Sequence, residues 1–455
     1  MGFDLFQSLN ATGTPLTAIE TFKPLVVNRT QENEESFNNS INKESFDKID
    51  DLFKNIKSAS EKNKLTKDFI TSFAIIFEGR KESSHFSHQR KFLQTAFTSK
   101  LENNYSTQKE FLSLLGNYAD FYKKVWIDYK GKASKPLEAI SNYDNFDEKN
   151  ISSLLILYLK SANHKMATTV LGSFYKRTIE RPGEKNKEIG NLIQAIKCIS
   201  AFYTIWRSAR SNSGLDTVYR DFFKGNSKKE IPPRRWLDKK DLEIDDLKNY
   251  LKYQLDEKNL LDKDNWISKS KERLRYTNAK VVCKFLLFLS AHDTIPDPDN
   301  PGLMKNSKTN SNPFLRIDKW ISDDLSTIEH ISPQDSKKGW DPNLYDDNEL
   351  FDSIGNLTLL PTDINISASN KGFQEKLVYY KYLSEKDPDK LEQEARNNNI
   401  DLKDKVVDKL RNAKHHSQIS PIVEAKEGVW DYKMVNNRTD RILELSWDRI
   451  RKWLD

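Results

Sequence analysis

The chain has 455 residues, 37% hydrophobic and 31% charged, which is enough apolar material for roughly two to four domains with cores of their own. No apolar run approaches the ~20 residues of a membrane span, mean hydropathy is −0.75, and the amino terminus lacks a basic, apolar, small-residue signal, so membrane insertion is excluded and a cytoplasmic setting is expected. The net charge of +6, from 73 basic and 67 acidic residues, favours polyanionic partners only if the cations gather near a site.

In chain order, LNATGTPLTAIETFKPLV predicts a turn at Gly13 and then a helix whose start is marked by Thr14, Pro15 and the pair Thr17 and Glu20. Residues 30–48 are polar and predict a linker or an exposed helix start. A helical domain is expected over 45–292. Within it Ile189, Leu192, Ile193, Ile196, Tyr203 and Trp206 make one apolar face, and Val281, Val282, Phe285, Leu286 and Leu289 make another. Several such helices imply a bundle or irregular array, and no internal repeat is visible. Cys198 and Cys283 fall inside these patterns without a metal-site spacing and read as reduced core residues. His85 with His88, and His415 with His416, lack acidic or thiol partners and read as surface histidines.

Two cationic stretches lie in this helical part. Arg207, Arg210 and Arg220 follow the first apolar face, and Lys224, Lys228, Lys229, Arg234 and Arg235 lie beside Pro232, Pro233 and Trp236. Cations interleaved with an aromatic suit phosphate contact and base stacking. Arg207, Arg210, Lys228, Lys229, Arg234 and Arg235 are therefore candidate nucleic-acid contacts, although Asp216, Asp221 and Glu230 dilute the run and a solvated charged face accounts for it equally. Residues 293–315 hold Pro296, Pro298, Pro301 and Gly302 among many Asn and Ser, and predict a linker with the character of a hinge.

The chemistry concentrates between Ile328 and Tyr380, in IEHISPQ, IGNLTLLPTDIN and SASNKGFQEKLVYY. Hydrolysing a phosphodiester needs a base near neutrality and a hard cation for the charge on phosphate. His330 suits the first task, because an imidazole ordinarily titrates near pH 6.5. Glu329 and Asn365 offer a carboxylate and an amide oxygen, which Mg²⁺ or Mn²⁺ prefers to the softer donors of zinc sites. One formal negative charge predicts weak binding of the ion without substrate. Adjacent residues on a strand point to opposite faces, so Glu329 and His330 meet only if the backbone bends, and Pro333 supplies a candidate bend. Asn356 lies in an apolar run, Ile354 to Leu360, that reads as a buried strand; its amide must be satisfied, with His330 as the expected partner. Asn365 then falls near the start of a helix carrying Phe373, Leu377 and Tyr380, so the order is strand, loop, strand, helix.

These residues resemble a known family. EHI-x-P, GNLTLL and N-x-x-x-x-N-K-x-F are similar to the HNH, or His-Me finger, nuclease domain of GmrSD-type restriction enzymes, over roughly residues 319–385. The resemblance implies a ββα-metal module with His330 as general base, Glu329 and Asn365 as metal ligands, and Asn356 orienting the base. The interval from 356 to 365 also resembles that of the HNH domain in RNA-guided DNA nucleases. Asn370 and Lys371 are left to contact backbone or phosphate. Two departures stand out: the final His of the name is Asn365 here, and the acid is Glu where many relatives have Asp. By the same resemblance the first thirty residues look like the end of a ParB-like amino-terminal domain, although an ordinary capped helix fits them equally well. Nothing in the chain resembles that domain's nucleotide motif, which implies a companion subunit or a missing domain carrying it.

Beyond the module, residues 401–412 predict a charged helix, and Ile442, Leu443, Leu445, Ile450 and Trp453 form the apolar face of a closing helix with Arg438, Arg441, Arg449 and Arg451 at polar positions. The expected architecture is mainly α, a helical array carrying the ββα-metal module, with an HNH nuclease domain over 316–455. The expected function is Mg²⁺- or Mn²⁺-dependent cutting or nicking of DNA, in restriction of phage or modified foreign DNA; an oligomer would allow double-strand cutting. RNA cleavage would use the same chemistry. The alternative from another class is a non-catalytic nucleic-acid-binding sensor or scaffold subunit of a defence complex.

Overall fold

A computed structural model describes residues 16–455 apart from 336–338, 369, 386, 401, 403, 413–415 and 426–428. The amino-terminal remnant reading falls partly on residues 1–15, and His415 on 413–415; both lie outside the described residues. The protein is mainly helical, with two small antiparallel strand pairs among the described residues of its C-terminal part. Among the described residues no helix is long and apolar enough to cross a membrane.

The array opens with α1 (Ala18–Glu32), α2 (Ile41–Phe53), α3 (Ala59–Glu78), α4 (Phe86–Phe97) and α5 (Tyr105–Phe121). Thr17 and Glu20 form the expected capping box at the start of α1, the Glu20 carboxylate accepting from the Thr17 N–H at 2.8 Å. Phe22 of α1 is fully buried against Phe46, Phe97 and Phe111, which makes α1 a packed member of the array. Next come α6 (Phe146–Ser161), α7 (Ala167–Glu180), α8 (Lys185–Ala209), α9 (Leu215–Lys224), α10 (Ile244–Asp256), α11 (Lys263–Arg273) and α12 (Tyr276–Ala291). Along its second half α8 is buried on every side, so its apolar residues are not confined to one stripe. Cys198 and Cys283 are free thiols buried in this core.

Residues 293–315 carry a hairpin, β1 (Thr294–Pro296) paired with β2 (Met304–Asn306). Asp293, at its base, accepts from the N–H groups of Asn310 and Asn312 at 3.0 and 3.1 Å. Asp297 accepts from Asn300 and from Arg441 of the final helix, both at 3.0 Å. The polar composition that predicts a linker is therefore used to satisfy a folded strap. After it, β3 (Thr327–His330) pairs antiparallel with β4 (Leu357–Leu360), and α13 (Thr362–Ala368), α14 (Phe373–Glu385), α15 (Pro388–Asn397), α16 (Asp404–Asn412) and α17 (Tyr432–Ile450) follow.

The β3–β4 pair stands between two cores. Ile328, Leu357 and Leu359 join the large helical core, whereas Leu360 joins a smaller one built from Ile364, Phe373, Tyr380, Trp430 and Val435. Helix α17 spans both, its Ile442, Leu443 and Trp447 packing with the large core and Val435 with the small one. Its backbone passes so close to Gly355 that a Cβ there would overlap the Val435 carbonyl and the Thr439 hydroxyl, and that hydroxyl accepts from the Gly355 N–H at 3.1 Å. Arg438, expected at a polar position, is buried instead and donates to the Gly355 and Leu357 carbonyls at 2.5 and 2.8 Å. His416, expected at the surface, is also buried, with its Nδ1 3.1 Å from the Gln418 amide.

Gly355→Ala should cost about 3 kcal/mol of stability, because the obstructing atoms are helix backbone that cannot give way; urea unfolding measures it. The hydrogen bond from Asn300, together with Arg441, holds the Asp297 carboxyl down at about 2 against the opposing effect of burial. A depressed carboxyl stabilises the fold above its unfolded pKa and loses that contribution as pH falls through the folded value. The stability gap between wild type and Asp297→Asn should therefore be full at pH 7 and close between about pH 4 and pH 2, as read by acid titration of the circular dichroism signal.

Candidate functional site

Alternation along β3 separates the two adjacent candidates. Cross-strand partners share a face, so His330 opposite Leu357, with Ile328 opposite Leu359, looks towards the large core; Glu329 opposite Thr358, with Thr327 opposite Leu360, looks towards the small one. The ladder runs in register through His330, and the bend expected at Pro333 comes too late to bring the imidazole and the Glu329 carboxylate together.

On its face His330 meets an unforeseen partner. Its Nε2 lies 3.0 Å from Oδ1 of Asp352, a buried residue on the turn that precedes β4. The other oxygen of Asp352 accepts from the Thr277 N–H at 3.0 Å and the Thr277 hydroxyl at 2.7 Å. Tyr276 meets the imidazole edge-on with centroids 4.8 Å apart. Both residues belong to the first turn of α12, set off by non-helical backbone at Ala279 (φ −152°, ψ 41°). Burial alone would raise the Asp352 carboxyl, but the His330 and Thr277 hydrogen bonds outweigh it and hold the carboxyl below its ordinary range. An ionised carboxylate only accepts, so Nε2 carries a proton and donates, and in the neutral ring Nδ1 is then the nitrogen with the lone pair. Among the described residues nothing bonds Nδ1, and the His330 side chain keeps 11% exposure.

On the opposite face Glu329 is 4% exposed and its Oε1 lies 2.5 Å from Nζ of Lys376, a fully buried lysine of α14 that also donates to the His330 carbonyl at 2.8 Å. Tyr380 lies against the same carboxylate but off hydrogen-bond geometry. Burial pushes the Glu329 carboxyl up to about 7, with Lys376 pulling it back, and burial likewise draws the Lys376 ammonium below its usual range. Asn365, on α13, donates to the Thr327 hydroxyl at 3.1 Å and to the Ile328 carbonyl at 3.2 Å. Those bonds use its nitrogen. Its amide oxygen accepts no hydrogen bond among the described residues.

The Asn356 amide makes no hydrogen bond to the backbone or ring of His330. Its oxygen accepts from the Ser332 N–H and the Trp430 indole, both at 2.9 Å, and its nitrogen donates to the Ser332 and Phe351 carbonyls at 2.8 and 2.6 Å. That fills the amide's capacity of two bonds accepted and two donated. The hydrogen bond to the imidazole expected of it is made by Asp352, and Asn356 instead ties the backbone at Ser332 to that at Phe351.

The peripheral candidates fare unevenly. Arg207 is buried in the array and donates to the Arg210 and Asn278 carbonyls, so it cannot meet nucleic acid. Lys229 pairs with Glu257 at 2.8 Å, Arg234 with Asp246 at 3.4 Å, and Arg235 with both oxygens of Asp238 at 2.9 and 2.6 Å. Trp236 stacks on Phe77 with Lys239 over its ring, which removes it as a platform for bases. Arg210 and Lys228 are exposed. So is Asn370, whereas Lys371 pairs with Glu375 at 3.3 Å.

Sequence reasoning missed Asp352 and Lys376. Lys376 had left a signal: with Phe373, Leu377 and Tyr380 it completes an i, i+3, i+4, i+7 stripe, and a lysine on an apolar stripe calls for a buried acid. Asp352 left little, because a turn has no period to break.

A strand pair followed by a helix, presenting an imidazole braced by a buried carboxylate, defines a ββα module set into a helical protein. Residues 262–444 match the family described as GmrSD restriction endonucleases, C-terminal domain, and that match implies a restriction-nuclease role for this part of the chain. The matched stretch starts at Asp262, the N-cap of α11, and so takes in Tyr276, Thr277 and the hairpin as well as the module. A comparison with curated proteins finds no match.

Asn356→Ala should cost about 3 kcal/mol by stranding the Trp430 indole and the Ser332 backbone in the core. Asp352→Asn should cost far less, since an amide oxygen still accepts there. Thermal melts of the two variants separate the fold-holding residue from the one that braces His330.

Proposed function

We propose that the C-terminal part is a DNA phosphodiester hydrolase in which His330 is the general base and Asp352 positions it. The carrying observation is the chain from Thr277 through Asp352 to Nε2 of His330, which leaves Nδ1 as the acceptor for a water proton. Asp352 then stabilises the imidazolium that forms, as a carboxylate behind an imidazole does in other hydrolases. The family implies DNA as the substrate, and restriction of phage or modified foreign DNA is the setting we assign.

Glu329 and Asn365 offer only oxygen donors, which favours Mg²⁺ or Mn²⁺ over zinc. When bound, such an ion would take up charge on the phosphate. As placed, however, the pair does not make a cation site: the Glu329 carboxylate is committed to Lys376, and only the Asn365 oxygen is open. Among the described residues there is also no cluster of three acidic, histidine or cysteine side chains fit for a metal.

His330→Ala should slow plasmid nicking by roughly 10²–10⁴-fold, the usual worth of a positioned base. Asp352→Asn should slow it by roughly 10–100-fold, as expected for a group that orients a working imidazole. Nicking at the wild-type rate by purified His330→Ala protein would remove His330 from the reaction and leave the scaffold reading standing.

A further inference from the structure

Two lysines of α11 meet carboxylates of α17, Lys263 with Asp448 at 2.9 Å and Lys271 with Asp440 at 2.8 Å. The next helix differs. Lys280 and Lys284, one turn apart on α12 beyond the irregular backbone at Ala279, have no carboxylate partner among the described residues. The Lys280 ammonium is exposed and sits 5.3 Å from the centre of the Tyr276 ring. Lys284 is half-buried, its ammonium 4.7 Å from the centre of the Trp320 ring and 5.7 Å from that of Phe288, and it donates to the Trp320 carbonyl at 3.4 Å. Burial, with Lys280 adding to it, draws the Lys284 ammonium down to about 8. Two like charges held together on an apolar surface without a counter-charge are unfavourable in the free protein, and an anion relieves both. Tyr276 ties the pair to the site. Its ring lies 4.8 Å, centre to centre, from the His330 imidazole, so imidazole, Tyr276, Lys280 and Lys284 follow one another along α12.

We propose that Lys280 and Lys284 are a phosphate track that lays one DNA strand along α12, with the bond to be cut at His330. This rests on the hydrolase reading above and adds the direction from which the substrate reaches the base. A DNA strand carries phosphates at regular intervals, and unpaired ammoniums one helical turn apart offer a matching row of positive charge. Lysine meets phosphate as a point charge and does not read base edges, so the track positions the strand without selecting a sequence. The rings beneath Lys284 strip part of its water, which strengthens its contact with a phosphate that replaces it. Asp352, the acid nearest the imidazole, is spent on His330 and Thr277 and does not neutralise the row.

The test is fluorescence anisotropy of the full chain with a labelled DNA duplex of about 20 bp in EDTA, which reads binding without asking for cleavage. Each lost phosphate contact lowers the dependence of log K on log salt by about 1. Lys280→Gln, a change at an exposed position, should therefore lower that slope by about 1, and Lys280→Gln/Lys284→Gln by about 2, with affinity down at least roughly tenfold at about 100 mM salt. Lys280→Arg/Lys284→Arg, which keeps both charges, should keep the slope. Lys23→Gln/Lys43→Gln removes two ammoniums that Asp50 and Asp47 already neutralise on α1 and α2, and it should keep the slope as well, which separates contact from net charge. A slope unchanged in Lys280→Gln/Lys284→Gln, or lowered equally in the α1–α2 control, would overturn the track while His330 is still judged by nicking. Duplex RNA that displaces the labelled DNA more readily than unlabelled DNA does would overturn DNA as the strand bound there. A lowered slope beside undiminished nicking by His330→Ala would keep the phosphate contacts and remove the cut from His330.

Discussion

Asn356 and Gly355 together set the constraint on which the site depends. A buried amide that makes all four of its hydrogen bonds has one allowed pose, and each partner is fixed with it. Ser332 lies two residues past His330, Phe351 lies one residue before Asp352, and Trp430 leads into the final helix. The amide thus sets the distance between the imidazole and its carboxylate by holding the chain next to each. Gly355 contributes by absence, since only a residue without Cβ lets the backbone of α17 lie against this turn. Arg438 closes the contact by donating to the carbonyls on both sides of Asn356.

The period of a strand explains why the site is split between two cores. Adjacent residues leave β3 on opposite faces, so the imidazole reaches the first turn of α12 and the neighbouring carboxylate reaches α14. The brace behind His330 therefore comes from a helix of the large array. The ββα module is not a bead on a linker, and the hairpin over 294–306 with its Asp297–Arg441 tie holds it to the array from a second side. Domain boundaries drawn from composition miss this, because Pro, Gly and Asn mark turns whether the turns are free or packed.

Much of the architecture was legible in the sequence. Helical periodicity marked the array, and the apolar run from Ile354 to Leu360 marked the second strand of the site, although its first three residues form a tight turn. His330, Glu329, Asn356 and Asn365 were singled out from residue type and order alone. What stayed hidden was partnership across long sequence separation. Asn356 was recognised as an amide needing satisfaction, yet its partners Ser332 and Trp430 lie 24 and 74 residues away. The cationic run at 228–235 looked free because its partners are distant in sequence, Asp246 on α10 and Glu257 just past the end of that helix. Arg207 looked like a surface cation at a helix end, but the chain folds Asn278 over it.

The two carboxylates on either side of β3 show how environment divides labour between like groups. Asp352 accepts three hydrogen bonds, which together outweigh its burial and keep it charged. Glu329 is desolvated more deeply and has one strong partner, and burial wins. Asp352 is accordingly a fixed negative charge, suited to hold one tautomer of His330 and to steady the ring when it gains a proton. The charge on Glu329 is instead conditional on the cation beside it. A carboxylate of that kind is poor at bracing an imidazole, and so the acid adjacent to His330 in sequence differs from the acid bonded to it in space.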